Sequence, residues 1–318
     1  MFYSKKQIWC LIVLLHYMLP GFLIVWMLLI PSSKGWLLLE MIILTGLFLI
    51  GLARAGFWEF TTCIMKYVWY GIYIFGVGLK LSQTHFRMDF SGYPSISEIA
   101  IGLVLLIILV ENIKMFFACL HQKEEIELVF PLKNGNYMIS DGGNGRISYL
   151  MNYHYKAGVH GSNSTNASMC YAVDIVKLGS KQRCAKFIFR SPNEDYEIFE
   201  EPLYAPISGT VVSIENEIQD NKAFPRKLSY NIGNHVTIRK DDYYVVLGHF
   251  RKGSIVVKIG DNVKEGQLLG KVGNSGLTPR PHLHMQVSRS SDGNYWGAQG
   301  VPIVFKGKVP YKNRRFHV

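Results

Sequence analysis

The stretch Pro281-His282-Leu283-His284-Met285-Gln286-Val287 follows a turn-forming run, Gly273-Asn274-Ser275-Gly276, and alternates in the manner of a β-strand. Residues i and i+2 of a strand share a face, so His282 and His284 project into one space while Leu283 and Met285 point the other way. One face therefore belongs to a core, and the other holds two imidazoles side by side. That pair suits a zinc site in which one histidine binds the metal and its neighbour handles a proton. The competing reading is two surface histidines on an edge strand, and a His-x-His pair taken alone favours it. The rest of the chain decides between them.

Outward from this strand the sequence continues as short alternating segments separated by turns. Strands are expected at Arg146–Tyr153, Tyr171–Val176, Gly209–Glu215, Asn234–Arg239 and Tyr243–His249, with others near Leu268–Val272 and His282–Ser288. Ser208-Gly209, Ile259-Gly260-Asp261 and the Gly273–Gly276 run punctuate them. The run Gly260–Gly273 reads as a tight hairpin. The pattern predicts an antiparallel sheet or barrel-like sandwich with little helix. A lipoyl-type carrier hairpin is disfavoured, because neither Lys264 nor Lys271 lies between methionines.

The first third of the chain is different. Ile8–Ile30, Trp36–Leu52 and Ile99–Val110 (reaching Leu120 if Glu111 is tolerated) are nearly unbroken apolar runs. Ile64–Leu81 is a weaker fourth, interrupted by Lys66 and Lys80. A spanning helix needs roughly 20 apolar residues. The first run is too long, and too closely followed by others, for a cleaved signal peptide. The expected organisation is an α-helical membrane domain over residues 1–122, with three or four transmembrane helices, and a mainly-β soluble domain over residues 123–318.

The net charge of +11 fits either a basic surface beside anionic lipid or attraction to an anionic polymer such as a bacterial cell wall. No recognised nucleic-acid-binding motif accompanies it, so nucleic acid is not an expected partner. Five cysteines are too few for a disulfide scaffold. Cys170 and Cys184 would be free to pair in an oxidising compartment, and Cys170 is also near Asp174 in sequence.

Several segments in order resemble the LytM/lysostaphin-type zinc metallopeptidases. They are NYHY (Asn152–Tyr155), YAVDIV (Tyr171–Val176), LYAPISGTVV (Leu203–Val212), GNHVTI (Gly233–Ile238), VVLGHF (Val245–Phe250), GDNVKEGQLLGKVGNSG (Gly260–Gly276) and PHLHMQV (Pro281–Val287). The resemblance covers about residues 143–287 and implies a LytM-type antiparallel sheet or barrel-sandwich. It implies that a histidine, an aspartate and the second histidine of His-x-His bind Zn2+. These map to His154, Asp174 and His284, with His160 the competitor for the first position. Two further histidines line the family's site and map to His249 and His282, as catalytic residues whose roles the sequence does not divide. His235 is assigned a structural role. The longer separation of His154 from Asp174 resembles a variant branch. Arg280, where small or acidic residues are common, either faces substrate or lies on the surface, the latter being preferred.

The resemblance implies cleavage of peptide bonds in bacterial peptidoglycan by a zinc-activated water. The expected partners are thus a peptidoglycan peptide and the lipid bilayer, and the expected location is the bacterial cytoplasmic membrane with the peptidase domain outside. Four spans with Lys5, Lys6, Arg54, Lys66 and Lys123 on one side would place that domain in the cytoplasm by the charge rule. Either the fourth run does not cross, or the N-terminus lies outside. Two other classes compete: a catalytically silent LytM-like domain that binds wall or a partner protein, and a transport or assembly component. The silent reading predicts lost ligands, and here a full candidate set is present.

Overall fold

The computed structural model describes residues 5–85, 87–156, 166–186, 192–225 and 231–318. The apolar runs form helices: α1 (Lys5–Val13), continuing through a π-helical turn at Leu14–Met18 into α2 (Leu19–Leu29), then α3 (Gly35–Ala55), α4 (Ile64–Gln83) and α5 (Ile96–Ala118). Three spans, Trp9–Leu29, Gly35–Ala55 and Ile96–Ala118, are long and apolar enough to cross a membrane. A capping box starts α5, where Ser95 Oγ accepts from Glu98 N–H and Glu98 returns a carboxylate oxygen to Ser95 N–H. In α4, Lys80 is buried and donates to the Leu28 carbonyl at 2.9 Å.

Loop contacts define the two ends of this bundle. At one end Gly35 N–H donates to Asp89 O (2.9 Å) and Asp89 N–H to Ser32 O (3.1 Å). At the other end the helices meet the β domain. Asn313 Nδ2 donates to the carbonyls of Arg54 (2.7 Å) and Gly56 (3.0 Å), and Asn144 N–H donates to Ala118 O (2.9 Å). Residues 56–63, between α3 and α4, enter the β domain, and Cys184 N–H donates to Glu59 O at 2.7 Å. Ile12, Leu52, Trp58, Phe60 and Cys63 share one apolar cluster with Met138, Val176, Leu178, Cys184 and Tyr196.

The β region contains β1 (Ile126–Glu127), β2 (Asn136–Asp141), β3 (Val173–Leu178), β4 (Pro202–Tyr204), β5 (Gly209–Glu215), β6 (Asn234–Lys240) and β7 (Tyr243–Phe250). It continues with β8 (Asn262–Val263), β9 (Leu268–Lys271), β10 (Leu283–Arg289), β11 (Gln299–Gly300), β12 (Ile303–Val304) and β13 (Arg315–His317). The main sheet is antiparallel in the order β13-β2-β3-β10-β7-β6-β5-β8, with β11 added to β10. Two small pairs, parallel β1-β12 and antiparallel β4-β9, lie beside it.

Two sequence expectations change. Residues 146–153 form no strand; they fold as successive turns, with Ile147 and Ser148 N–H both donating to the Asn144 carbonyl at 3.1 Å. The strand in that part of the chain is β2, whose alternation is hidden because both faces are buried: Tyr137 and Ile139 face one core, Met138 the other. Gly260–Gly273 is not a self-paired hairpin. A tight turn, closed by Gln267 N–H to Lys264 O at 3.0 Å, joins two arms that pair outward, β8 with β5 and β9 with β4.

The candidate metal centre

The site lies on one face of the three neighbouring strands β3, β10 and β7. Val173 and Ile175, Leu283, Met285 and Val287, and Val245 and Leu247 enter the main core from the opposite face. Strict alternation then puts Asp174, His282, His284 and Gln286 on the site face, and His284 is in register with both Asp174 and Gly248. His249 reaches the site differently. By parity it would follow Val245 and Leu247 into the core, yet Phe250 takes that place. The β6-β7 register shifts here, Asn234 opposing Phe250 and His235 opposing Gly248, so His249 is the unpaired residue of a bulge, with φ +67°. A bulge re-aims one side chain at the cost of a left-handed backbone, about 1–3 kcal/mol for such a residue.

His154 arrives from the turn region rather than a strand. Asn152 holds it: Nδ2 donates to the carbonyls of Gly143 and Ala172, both at 2.9 Å, and Oδ1 accepts from His154 Nδ1–H at 2.7 Å. That leaves His154 Nε2 free, 3.2 Å from Asp174 Oδ1. His284 is oriented the opposite way round. Its Nε2–H donates to Gln286 Oε1 at 3.1 Å, and its Nδ1 lies 3.0 Å from the same Asp174 Oδ1. Ligand atoms of His154, Asp174 and His284 all fall within 4.8 Å of one another, and all three residues are buried. Tyr153 stacks on His154, ring centroids 4.4 Å apart.

His282 and His249 complete the ring of imidazoles. Each commits Nδ1–H to a backbone carbonyl, His282 to Arg280 O (2.9 Å) and His249 to Ser275 O (2.8 Å). His282 Nε2 lies 3.3 Å from Asp174 Oδ2, and the His249 and His282 rings are 4.7 Å apart. Burial opposes ionisation of Asp174, but its interactions with the neighbouring His154 and His282 outweigh that and hold the carboxyl well below its usual range. For His154 burial acts against protonation and Asp174 overcomes it, raising the pKa. His249, desolvated and beside His282 and His284, is driven well below the ordinary histidine value and stays neutral.

The five residues singled out in the sequence thus converge. His160 lies outside the described residues. His235 is apart from the cluster, hydrogen-bonded to Gly233 O and Ser213 Oγ. Cys170 and Cys184 are both free buried thiols, and Cys170 is not part of the metal-ligand cluster. Arg280 is not a surface residue: it is 8% exposed and pairs with buried Glu59 of the inserted loop at 2.8 Å. Half-buried Asp141 and buried Lys312, 3.5 Å apart beside the cluster, escaped the sequence reading, because β2 itself did. Asn152 and Gln286 were also missed as positioning residues. A hydrogen-bonding side chain two residues from a ligand histidine was the available signal.

Residues 195–296 match peptidase family M23. The chain is similar to an uncharacterized metalloprotease of Buchnera aphidicola subsp. Baizongia pistaciae (strain Bp), 37% identical over 83 residues, which is 26% of this chain and 20% of that protein. It is also similar to glycyl-glycine endopeptidase ALE-1 of Staphylococcus capitis, 32% identical over 81 residues, 24% of this chain and 21% of that protein. The aligned stretch thus spans about a fifth of the length of each relative. Among solved structures, the catalytic domain of the prophage-encoded M23 protein EnpA from Enterococcus faecalis aligns at 21% identity and TM-score 0.31, over 54% of this chain and 92% of that one. The catalytic domain of lysostaphin from Staphylococcus simulans aligns at 23% identity and TM-score 0.28, over 46% of this chain and 81% of that one. His249, His282 and His284 fall inside the family match, and His154 and Asp174 join them from upstream. The β region of this chain thus contains a segment, residues 195–296, that matches peptidase family M23.

Proposed function

We propose that the chain is a membrane-embedded zinc metalloendopeptidase that hydrolyses peptide bonds of bacterial peptidoglycan. His154, Asp174 and His284 bind the metal, and His249 and His282 handle protons. The observation that carries this reading is the convergence of His154 Nε2, an Asp174 carboxylate oxygen and His284 Nδ1 within 4.8 Å. Each imidazole has its other nitrogen already committed to an amide oxygen. Two neutral imidazoles and a carboxylate fit zinc, and three protein ligands leave room for water and substrate. Zinc bound there supplies Lewis-acid polarisation of the scissile carbonyl and acidifies the attacking water.

The side chains do the rest. His249 is neutral and presents Nε2 as a proton acceptor, while its Nδ1–H is fixed on Ser275 O. His282, held by Arg280 O and neighbouring His249, donates to the developing oxyanion or to the leaving amine. Tyr153 keeps its hydroxyl proton, since burial and then Asp174 push its pKa well above the usual phenol value. A glycyl-glycine endopeptidase among the relatives supports glycine-rich bridges as the class of bond.

Peptidoglycan lies outside the cytoplasmic membrane, so the β domain belongs there. The bundle favours four crossings with the N-terminus on that same side, because α3 ends and α4 begins at the β domain while the 30–35 and 84–95 connections meet at the opposite end. Zinc content and muropeptide release from the purified full-length protein test the function. One equivalent of zinc and chelator-sensitive release are expected, both lost in His284→Ala. His282→Ala should keep the metal and lose about 10²-fold or more in rate. A zinc-loaded protein that releases no muropeptide would identify a silent wall-binding relative instead. Protease added to intact protoplasts should cut the β domain; protection there would refute the external placement.

A further inference from the structure

A cavity of about 670 Å³ runs between the helices and the metal centre. Its walls within the bundle are mostly apolar, with Leu11 and Leu15, Leu47 and Phe48 of α3, and Ile107 and Ile108 of α5; Glu111 and Asn112 of α5 are the polar exceptions. At its other end it reaches Asp174, His282 and Tyr153. Along α3 it extends from Leu47 to Gly56, about 14 Å at 1.5 Å per residue. This is the half of the helix nearest the β domain. Ile107 lines the cavity yet is 64% exposed, so the space opens on the outer surface of the bundle at the level of the apolar spans. A membrane-level opening is thus continuous with a peptidase site.

The chemistry of the walls selects an occupant. Helix backbones satisfy their own hydrogen bonds, so this lining offers few partners to the N–H and C=O groups of an extended peptide. A peptide lying there would carry unpaired polar groups at a cost of several kcal/mol each by general transfer data. A helical peptide is too bulky: a cylinder about 10 Å across takes about 120 Å³ per residue, so the volume holds only five or six residues. A hydrocarbon chain needs no partners and gains from burial throughout. The polar groups lie where such a chain would end. Asp141, Lys312, Glu59 and Arg280 line the region next to the metal centre. Glu59 there is 1% exposed and its Oε2 has no hydrogen-bond partner among the described residues. Asn112, 7% exposed, likewise keeps Oδ1 unpaired on the cavity wall. These are acceptors suited to the amide or hydroxyl donors of a linker.

We propose that the substrate is an amphiphile: a peptide attached through a polar linker to a membrane-anchored hydrocarbon chain. The chain occupies the cavity between α1, α3 and α5 and delivers the peptide to the metal centre from the bilayer. This rests on the peptidase reading of the site and narrows it, from wall peptide in general to wall peptide still carried on lipid.

The test uses the full-length protein in phosphatidylglycerol/phosphatidylethanolamine vesicles. The first probe is a palmitoyl lipid bearing a diazirine on its chain, photolysed and mapped by mass spectrometry. Labelling is expected on residues 11–15, 47–56 and 107–115, facing the cavity. Ile107→Trp narrows the opening, and Leu106→Trp, exposed and not on the cavity wall, is the control. Withdrawing about two methylenes from burial corresponds to about a tenfold loss, so cavity labelling should fall about tenfold in I107W and stay level in L106W. Equal labelling in both variants, spread over the lipid-facing helix surfaces, would overturn the proposal. The second probe is a pentaglycine-containing stem peptide with and without a palmitoyl chain. The ratio of kcat/KM for the two should fall about tenfold in I107W alone; an unchanged ratio counts against the proposal. If neither peptide is cut by the wild type, the peptidase reading fails, while the photolabel still decides whether the cavity takes a chain.

Discussion

Breaking the Glu59–Arg280 pair should unfold the seam between helices and sheet, and removing both partners should largely restore it. Glu59 is 1% exposed and Arg280 8%, with Nη2 and Oε1 2.8 Å apart. Burial works against the Arg280 charge, but Glu59 more than compensates and raises the guanidinium pKa. The guanidinium therefore keeps its charge. Glu59→Leu strands a buried guanidinium, a loss of about 3–5 kcal/mol for such a pair. The Phe60 ring, 5.0 Å from the guanidinium carbon, faces it in wild type and variant alike and so does not offset this loss. The lower end, about 3 kcal/mol, corresponds to about 6–12 °C in Tm for a domain of roughly 200 residues. Arg280→Met should cost a similar amount. The double variant Glu59→Leu/Arg280→Met replaces the pair with apolar volume and should lie within about 1 kcal/mol of wild type. The assay is thermal unfolding of the full-length protein in detergent, followed by tryptophan fluorescence, for all four members of the cycle. Additive Tm losses in the double variant would refute the claim that these two charges answer each other.

Gln286→Leu should leave the fold intact and weaken metal binding by about 10–100-fold, because Gln286 Oε1 fixes the His284 tautomer that frees Nδ1; chelator competition measures it, and unchanged affinity would dismiss that role. His235 is held below the ordinary histidine value mainly by burial, so its contribution to stability is complete above about pH 6.5 and declines as pH falls toward its lowered pKa. His235→Gln should therefore flatten the Tm difference between pH 7.5 and 5.5, a slope of less than about 1.4 kcal/mol per pH unit; an unaltered difference would assign that pH dependence elsewhere. Burial pushes the Cys170 thiol up to about 11 and Cys184 to about 12. Both should resist iodoacetamide at pH 8 in the folded protein and react after denaturation, and a mass shift on reduction would contradict their free state.

The sequence made the His282/His284 pair readable because strand period and core pattern agree there: Leu283, Met285 and Val287 fill the core and leave the intervening residues together. Asp174 was readable for the same reason, between Val173 and Ile175. His249 breaks that logic. Its place depends on a bulge that shifts parity between Leu247 and Phe250, which no alternation rule anticipates. Here the ordered resemblance groups His249 with the other candidates, where periodicity alone would have buried the residue. The expected strand at residues 146–153 failed for a complementary reason. Its apolar residues serve turns that carry Asn152 and His154, while the true strand β2 is buried on both faces and shows no period.

Arg280 shows most sharply what lies beyond local pattern. Two residues before His282 it reads as surface, since its partner, Glu59, is 221 residues away in a loop between helices. The same Arg280 carbonyl accepts from His282 Nδ1–H, so the residue that anchors the helical loop also sets the ring of a proposed proton carrier. Helix bundle and catalytic face are therefore not two units joined by a tether. Trp58, Phe60 and Cys63 share a core with Met138, Val176 and Leu178 on the site face of β2 and β3, and Glu59 closes the circuit at the site itself. A peptidase built only to reach distant wall would gain nothing from seating its metal centre against its own membrane helices. The proposed uptake of substrate from the bilayer would use that arrangement, because a chain held between the helices and a peptide at the metal centre then share one continuous cavity.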